Sequence, residues 1–344
     1  MASQVFNEAK WIWTAQSCHE ISEYADFVRE FECDLLDRAV FRISSRSDYV
    51  FWLNGKFAGF NQYHDFPDAK VYDEYDVTGF LKKGKNRLAV RVLGKNYHTA
   101  SHIADGKGVI FELEADTFKF FSDTDTLSRV APDYVSGEMH YITRQLGKSF
   151  RYDFNNADDW INGGNNGFTR SIVTGGGRNF LPRPVERLKC RYLEAELLRE
   201  NIYDLKGIKS GYLTFCIIAP KKCNLRISYG EHLIDGRVRR IINDRDFSTE
   251  FILKPGRNEF ISYFLRFGLR YLQLECEEPL EVEHIGIMEA IYPLTVREYK
   301  ECGIRKDIYD ISIQTLRNCI HEHYEDSSWR EQAQYPMDSR TQML

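Results

Sequence analysis

The residues with most chemistry to offer stand close together near position 330. From His321 to Leu344 the sequence reads H-E-H-Y-E-D-S-S-W-R-E-Q-A-Q-Y-P-M-D-S-R-T-Q-M-L, which sets Asp326, Arg330, Glu331, Asp338 and Arg340 among aromatic residues. Cleavage of a glycosidic bond needs a set of this kind. One carboxylic acid protonates the leaving oxygen, and a second carboxylate works on the other face of the sugar. The acid has to keep its proton near neutral pH, which burial or a neighbouring carboxylate supplies. Further carboxylates and a guanidinium group can hold hydroxyls, and Trp329 or Tyr335 offers an apolar face. The same residue types also make ordinary solvated surface, the usual state of an acid-rich segment of this length. Residue types alone leave both readings open.

Other polar groups compete less well. His98 and His102 would share a face if helical and could then bind zinc. They sit in N-Y-H-T-A-S-H between two strand-like stretches, so two ordinary loop histidines are expected. His321 and His323 flank Glu322, and positions two apart on a helix diverge, which argues against a joint metal site. Asp153, Asp158 and Asp159 could give oxygens to calcium, though a polar loop accounts for them equally. No metal and no cofactor is expected.

The elements that position these groups read as mainly β. Phe27–Glu32 and Phe41–Ser44 alternate, and the stretch 49–59 is a hairpin with Asn54-Gly55 at its tip, where a type I′ turn needs positive φ twice. Trp11-Ile12-Trp13 reads as an edge strand with both rings on one face. Leu88, Val90 and Val92 face one way between Arg87, Ala89 and Arg91, after a turn at Lys83–Asn86. Strands follow at 109–115 and 118–126. Short alternating strands with regular turn signals predict a β-sandwich over 1–127.

Residues 128–184 carry Asn/Gly/Asp clusters such as N-N-A-D-D-W-I-N-G-G-N-N-G-F at 155–168 and are expected as a loop-rich connection. Neither glycine cluster fits a phosphate-cradling motif. A second sandwich is predicted over 185–300, with strands at 211–219, 224–231, 248–253, 258–264, 270–276 and 282–292 and a turn at Lys254–Arg257. Ile304, Ile308, Ile311, Leu316 and Ile320 then take up helical spacing, with Asp307 near the start. That helix delivers the polar segment.

Composition bounds the partners. At 344 residues the chain is long enough for two or three domains, and its net charge of −5 leaves no basic footprint for nucleic acid. The eight cysteines are scattered without a C-x-x-C pair, a pattern of free thiols and not of a disulfide scaffold. No window approaches a membrane span, and the first ten residues lack a signal peptide's apolar core. As written the chain reads as cytoplasmic, and as periplasmic or secreted had a leader been removed.

The acid-rich segment resembles the signature of the glycoside hydrolase family 78 α-L-rhamnosidases. In that pattern an Asp is followed by Cys-Pro, an Arg, a Glu and, after an apolar run, Gly-Asp. The Asp falls on Asp326, the Arg on Arg330, the Glu on Glu331 and the last Asp on Asp338. Upstream, Y-D-V-T-G-F-L-K-K-G-K-N-R-L-A-V at 75–90 is similar to the jelly roll that precedes many glycosidase barrels. Y-G-E-H-L-I-D-G at 229–236 and F-L-R-F-G-L-R-Y at 264–271 are similar to the family's second β-domain. Ser327-Ser328 replaces Cys-Pro, and Met337 stands where Gly precedes the last Asp, a change expected to crowd the sugar.

The resemblance implies two jelly-roll-like β-sandwich domains followed, over 301–344, by the first helix of an (α/α)6 barrel. It implies an inverting hydrolase of α-L-rhamnosides or a related sugar, with Glu331 as general acid and Asp326, Arg330 and Asp338 binding the sugar. The partner is then a rhamnose-containing glycoside or polysaccharide. The family's general base is a Glu much later in sequence, so the 344-residue chain is expected to be inactive alone. A non-catalytic alternative is a carbohydrate-binding or structural module, in which Tyr63, Phe66 or Tyr97 of the first sandwich binds sugar.

Overall fold

The computed structural model describes residues 5–34, 38–115, 118–300 and 302–343. Glu301 and Leu344, which the expected C-terminal part includes, lie outside the described residues. The chain is mainly β, with two α-helices among the described residues, α1 (Ile304–Asn318) and α2 (Pro336–Met343). It forms two compact units: Met1–His98, His102–Glu138 and Asn156–Pro184 in one, Thr99–Ser101, Met139–Asn155 and Val185–Leu344 in the other. The loop-rich stretch 128–184 thus gives residues to both. No helix among the described residues is long and apolar enough to cross a membrane.

The first unit is a sandwich of two sheets. One runs Ile172–Val173, Ile12–Trp13, Val109–Ala115, Ala39–Ser45, Lys70–Asp76, Phe180–Pro182, with Lys119–Phe121 beside Val109–Ala115. The other runs Thr169–Arg170, Leu127–Val130, Glu23–Cys33, Gly84–Gly94, Asp48–Leu53, Lys56–Phe60. Leu88, Val90 and Val92 meet Phe27, Phe41, Phe51 and Phe111 between the sheets, as their alternation requires. At the hairpin tip Asn54 and Gly55 take φ of 51° and 77°, the pair of positive angles of a type I′ turn.

The opposite face of Gly84–Gly94 is not left to water. Arg91 is buried and pairs with Asp26 at 2.6 Å and Asp133 at 2.9 Å, while Arg129 holds Asp26 at 3.2 Å and Asp158 at 2.6 Å. The rings of Tyr134 and Trp160 cover the Arg91 guanidinium at 5.3 and 5.2 Å. Strand Ile12–Trp13 is not an edge, because Ile172–Val173 pairs along its outer side. Nor do its rings share surroundings. Trp13 joins the inter-sheet core, whereas Trp11 packs with Phe6, Ala9 and Ile110.

The main sheet of the second unit, beside short two-stranded ones, makes both its layers. Its order is Arg151–Asp153, Ser248–Leu253, Cys223–Gly230, Gly256–Glu275, Ile202–Ala219, Glu281–Ile291, Lys189–Glu194. The two central strands are long, and their register shifts between Asp204 and Lys209 and again between Tyr212 and Thr214. Such bulges bend and twist a strand. As a result, Tyr271–Glu275 pairs with Arg226–Gly230, whereas Gly211–Ile218 pairs with 281–289. Phe251 on one limb stands 4.9 Å from Phe215 and 4.9 Å from Phe260 on the other, with Phe150 5.7 Å from Phe260. The strands expected separately at 258–264 and 270–276 are therefore one strand, Gly256–Glu275.

Helix α1 starts after Gly303, at φ 76°, and carries a Lys306–Asp310 ion pair at 2.6 Å one turn apart. Its apolar stripe stays in solvent, with Ile304, Ile308 and Ile311 exposed by 76%, 58% and 67%. Asn318 alone among its residues is buried, and it donates to the Ile208 carbonyl at 2.9 Å.

These packings separate two substitutions. Phe251→Ala empties the aromatic core and is expected to cost about 3–5 kcal/mol. Ile308→Ser is expected to stay within about 0.5 kcal/mol, as at a surface position. Urea unfolding midpoints check both, and a large loss in Ile308→Ser would show that the stripe is packed.

Candidate functional site

The segment C-terminal to α1 is held to the second unit's sheet by ions and by a close backbone approach. Glu325 is fully buried. One of its oxygens accepts from the Arg266 guanidinium, on strand Gly256–Glu275, and from His321 Nδ1 at 3.0 Å. Arg266 also donates to His321 Nε2 at 3.2 Å and to Ser210 Oγ at 2.8 Å. Because Nε2 faces a guanidinium it has to accept, so the ring proton sits on Nδ1 and is donated to the carboxylate. Burial and Arg266 accordingly push the His321 pKa down, toward the neutral ring. Burial works to raise Glu325, but Arg266 and the His321 contact outweigh it and hold the carboxyl at about 2.

Two residues along the same strand, Gly268 admits the segment's backbone. A Cβ there would lie 2.0 Å from the Ser328 carbonyl oxygen, so only glycine fits. Trp329 then lies in the sheet's surface, 4.7 Å from Phe247 and edge-on to His232 at 5.5 Å. Gln332 donates to the carbonyls of Arg266 at 3.1 Å and Ser328 at 2.7 Å.

On this base stands a closed loop. The Asp326 amide donates to the Ala333 carbonyl at 2.9 Å, and the Ala333 amide returns a bond to Asp326 Oδ1 at 3.0 Å. Ser327 Oγ donates to Oδ2 at 3.0 Å. The loop between presents Arg330, which is exposed, and Glu331, which is half-buried. Glu331 Oε2 accepts from the Tyr335 hydroxyl at 2.7 Å. That bond is the main reason the Tyr335 phenol is raised, and the charges of Glu331 and Asp326 add to it. Glu331 thus holds the phenol by a hydrogen bond, and Asp326 acts on it through its charge alone. Asp338 is exposed in the first turn of α2, where a carboxylate suits the helix dipole. Met337 points outward, exposed by 72%.

Three side chains escape a reading by motif. Glu325 and Arg266 stand 59 positions apart, and nothing in the sequence pairs them. Glu231, just beyond strand Cys223–Gly230, has its carboxyl raised by burial against the opposing charge of Arg330. Burial pushes the Cys319 thiol up to about 11, and the charges of Glu325, Asp326 and Glu231 add to it. The outer side of the loop offers the carboxylates of Asp326 and Glu331, the Tyr335 phenol and the Arg330 guanidinium, groups able to hydrogen-bond hydroxyls.

The remaining candidates are engaged locally. His98 is exposed and its Nδ1 accepts from the Ala104 amide at 3.3 Å, while burial, Lys95 and His64 push His102 down to about 2. His323 Nε2 meets the Gln332 carbonyl at 3.3 Å. Asp153 accepts from Asn155, Asp158 pairs with Arg129 and Asp159 accepts from Asn162. Among the described residues no group of three or more His, Cys, Asp or Glu side chains is placed to hold a metal ion. Tyr63 lies under the Arg183 guanidinium at 5.6 Å, Phe66 is 61% exposed and Tyr97 is half-buried.

No family model matches the sequence, and no curated protein matches it. Among solved structures, the fold is similar to a glycoside hydrolase family 78 rhamnosidase of Bacillus sp. GL1. The TM-score is 0.88 at 15% identity, over 98% of this chain and 61% of that one. An α-L-rhamnosidase from Aspergillus terreus aligns with TM-score 0.78 at 18% identity, over 96% of this chain and 42% of that one. A third, from Streptomyces avermitilis in complex with L-rhamnose, gives 0.76 at 17% identity, over 90% and 33%. The chain spans less than two thirds of the length of each. What is shared at this identity is the fold.

The ion cluster makes the segment's anchorage sensitive to acid. A carboxyl lowered from 4.5 to about 2 by folding stabilises the protein above its unfolded pKa, and that contribution is lost as pH falls toward about 2. His321, lowered too, acts in the same direction below its ordinary 6.5. Glu325→Gln leaves Arg266 without its charge partner and is expected to cost about 3–5 kcal/mol at neutral pH. Urea midpoints measured from neutral to acid pH should fall less steeply in that variant than in the parent chain. Parallel curves would remove Glu325 from the acid response.

Proposed function

We propose that the chain carries the acid half of an inverting glycoside hydrolase acting on terminal α-L-rhamnosides or a related sugar. The observation that carries this reading is the hydrogen bond of the Tyr335 hydroxyl to Glu331, on a loop closed by Asp326 and Ala333. It is supported by a fold shared with rhamnosidases over nearly the whole chain. Glu331 is the general acid that protonates the departing glycosidic oxygen. Tyr335 orients its carboxyl group, and Asp326, Arg330 and Asp338 take the sugar hydroxyls. An inverting site also needs a second carboxylate across the sugar to activate water, farther off than hydrogen-bond reach. On this reading that base comes from outside these 344 residues, and the chain by itself binds sugar without turning it over.

Calorimetric titration with L-rhamnose and an assay on an aryl α-L-rhamnoside test the reading together. Saturable binding is expected, weakened at least about tenfold, or ~1.4 kcal/mol, in Asp326→Asn and in Arg330→Ala. No turnover is expected. Binding that survives both variants but is lost in Phe66→Ala would move the ligand to the first sandwich and make the chain a binding module. Turnover abolished by Glu331→Gln would keep the acid and overturn the placement of the base.

A further inference from the structure

The second unit has an open groove of about 1160 Å³ that contains none of the proposed sugar ligands. Arg226, Glu250 and Gln273 line it, and two cysteines, Cys223 and Cys276, stand in the same lining. Cys223 opens strand Cys223–Gly230, and Cys276 comes directly after strand Gly256–Glu275. The two strands are antiparallel with Arg226 opposite Glu275. Continued by one residue, that register sets Cys276 across from Leu225, on the face of Cys223 and one diagonal step away. Diagonal neighbours of a strand pair stand about 7–8 Å apart, with their Cβ atoms somewhat nearer. Burial and the neighbouring Cys276 thiol push the Cys223 thiol up to about 11. An ion pair, Lys221 to Glu278 at 3.0 Å, draws together the same two chain segments.

Both thiols are free and only partly covered, so a small reagent can reach them. Other cysteines are differently engaged. Cys216 donates to Glu283 at 2.9 Å, and Cys33 donates to the Lys82 carbonyl at 3.4 Å. Cys18, Cys190 and Cys302 lie exposed.

We propose that Cys223 and Cys276 form a reversible dithiol that closes to a disulfide at the groove's rim on reaction with a low-molecular-weight disulfide such as glutathione disulfide. One protein thiol loses its proton and attacks a sulfur of the reagent, whose S–S bond breaks and releases one small thiol. The neighbouring protein thiol, deprotonated in turn, attacks the protein-side sulfur of the mixed disulfide and releases the second. Two protein thiols and one small disulfide give one protein disulfide and two small thiols, so electrons and protons balance. The bond joins chain positions far apart in sequence, which restricts the unfolded chain. It also ties the two strand ends that bound the groove.

The experiment is peptide mapping by mass spectrometry of the full chain after incubation with glutathione disulfide, with the thermal midpoint measured alongside. A linked peptide pair containing Cys223 and Cys276 is expected, reversed by a dithiol reductant. The midpoint should rise by roughly 5 °C in the parent chain and not in Cys223→Ser or Cys276→Ser. In either variant the remaining cysteine should stop at a single glutathione adduct. A parent chain whose Cys223 and Cys276 stay as thiols, or carry one glutathione each without an internal bond, overturns the proposal. So does a linked pair that joins either one to a different cysteine.

Discussion

The contact on which the candidate site depends is the buried charge of Glu325 against Arg266. Taking a carboxylate and a guanidinium out of water costs several kcal/mol, recovered only when geometry is good and the remaining groups are bonded. Arg266 meets that demand by reaching Glu325, His321 and Ser210 from one position on a sheet strand. His321, by staying neutral, adds a second donor to the same oxygen, while the other oxygen, Oε2, is buried without a hydrogen-bond partner among the described residues. The pair adds little net stability over a well-packed apolar substitute, but once formed it permits a single placement of the chain at residue 325. Asp326 is the next residue. Its position is set by a contact in which it takes no part.

The close approach at Gly268 supplies the second point of attachment. With Glu325 fixed and the Ser328 carbonyl against the strand backbone, the residues between have little freedom. Trp329 sinks into the sheet beside Phe247, and its neighbours Arg330 and Glu331 are left on the outer side. A site that has to place a carboxyl group within a fraction of an ångström gains from a support of this kind.

How much could be read from the sequence depends on the range of the interactions. The alternation of Leu88, Val90 and Val92 and the turn at Asn54-Gly55 are local, and both take the expected form. Glu331 and Tyr335 lie four apart, close enough for their types to suggest a pair. The misreadings involve distant partners. Trp11-Ile12-Trp13 looks like an edge because Ile172–Val173, which covers it, is a two-residue strand with no pattern of its own. Gly256–Glu275 looks like two strands because it carries an irregularity of its own at 262–265, beside one in its partner at 205–208. Arg91 takes the outward place in the alternation with Val90 and Val92, and only the distant Asp26 and Asp133 explain its burial. Arg266 and Glu325 are the same case carried into the site.

The contrast between α1 and the loop after it bears on how the site keeps its shape. An amphipathic helix is ordinarily held by its apolar stripe. In α1 the stripe of Ile304, Ile308 and Ile311 faces solvent, and the buried contact is the amide of Asn318 at the helix end. A helix so placed lends little rigidity to the adjoining loop. The loop has its own support from below, through Arg266, Gly268 and Phe247, all in the β-unit. The geometry of Asp326 and Glu331 is thus set by that unit, and helix and loop, though adjacent in sequence, answer to different constraints. A change that loosens α1 leaves the carboxylates in place, whereas one at Arg266 displaces them with the helix intact.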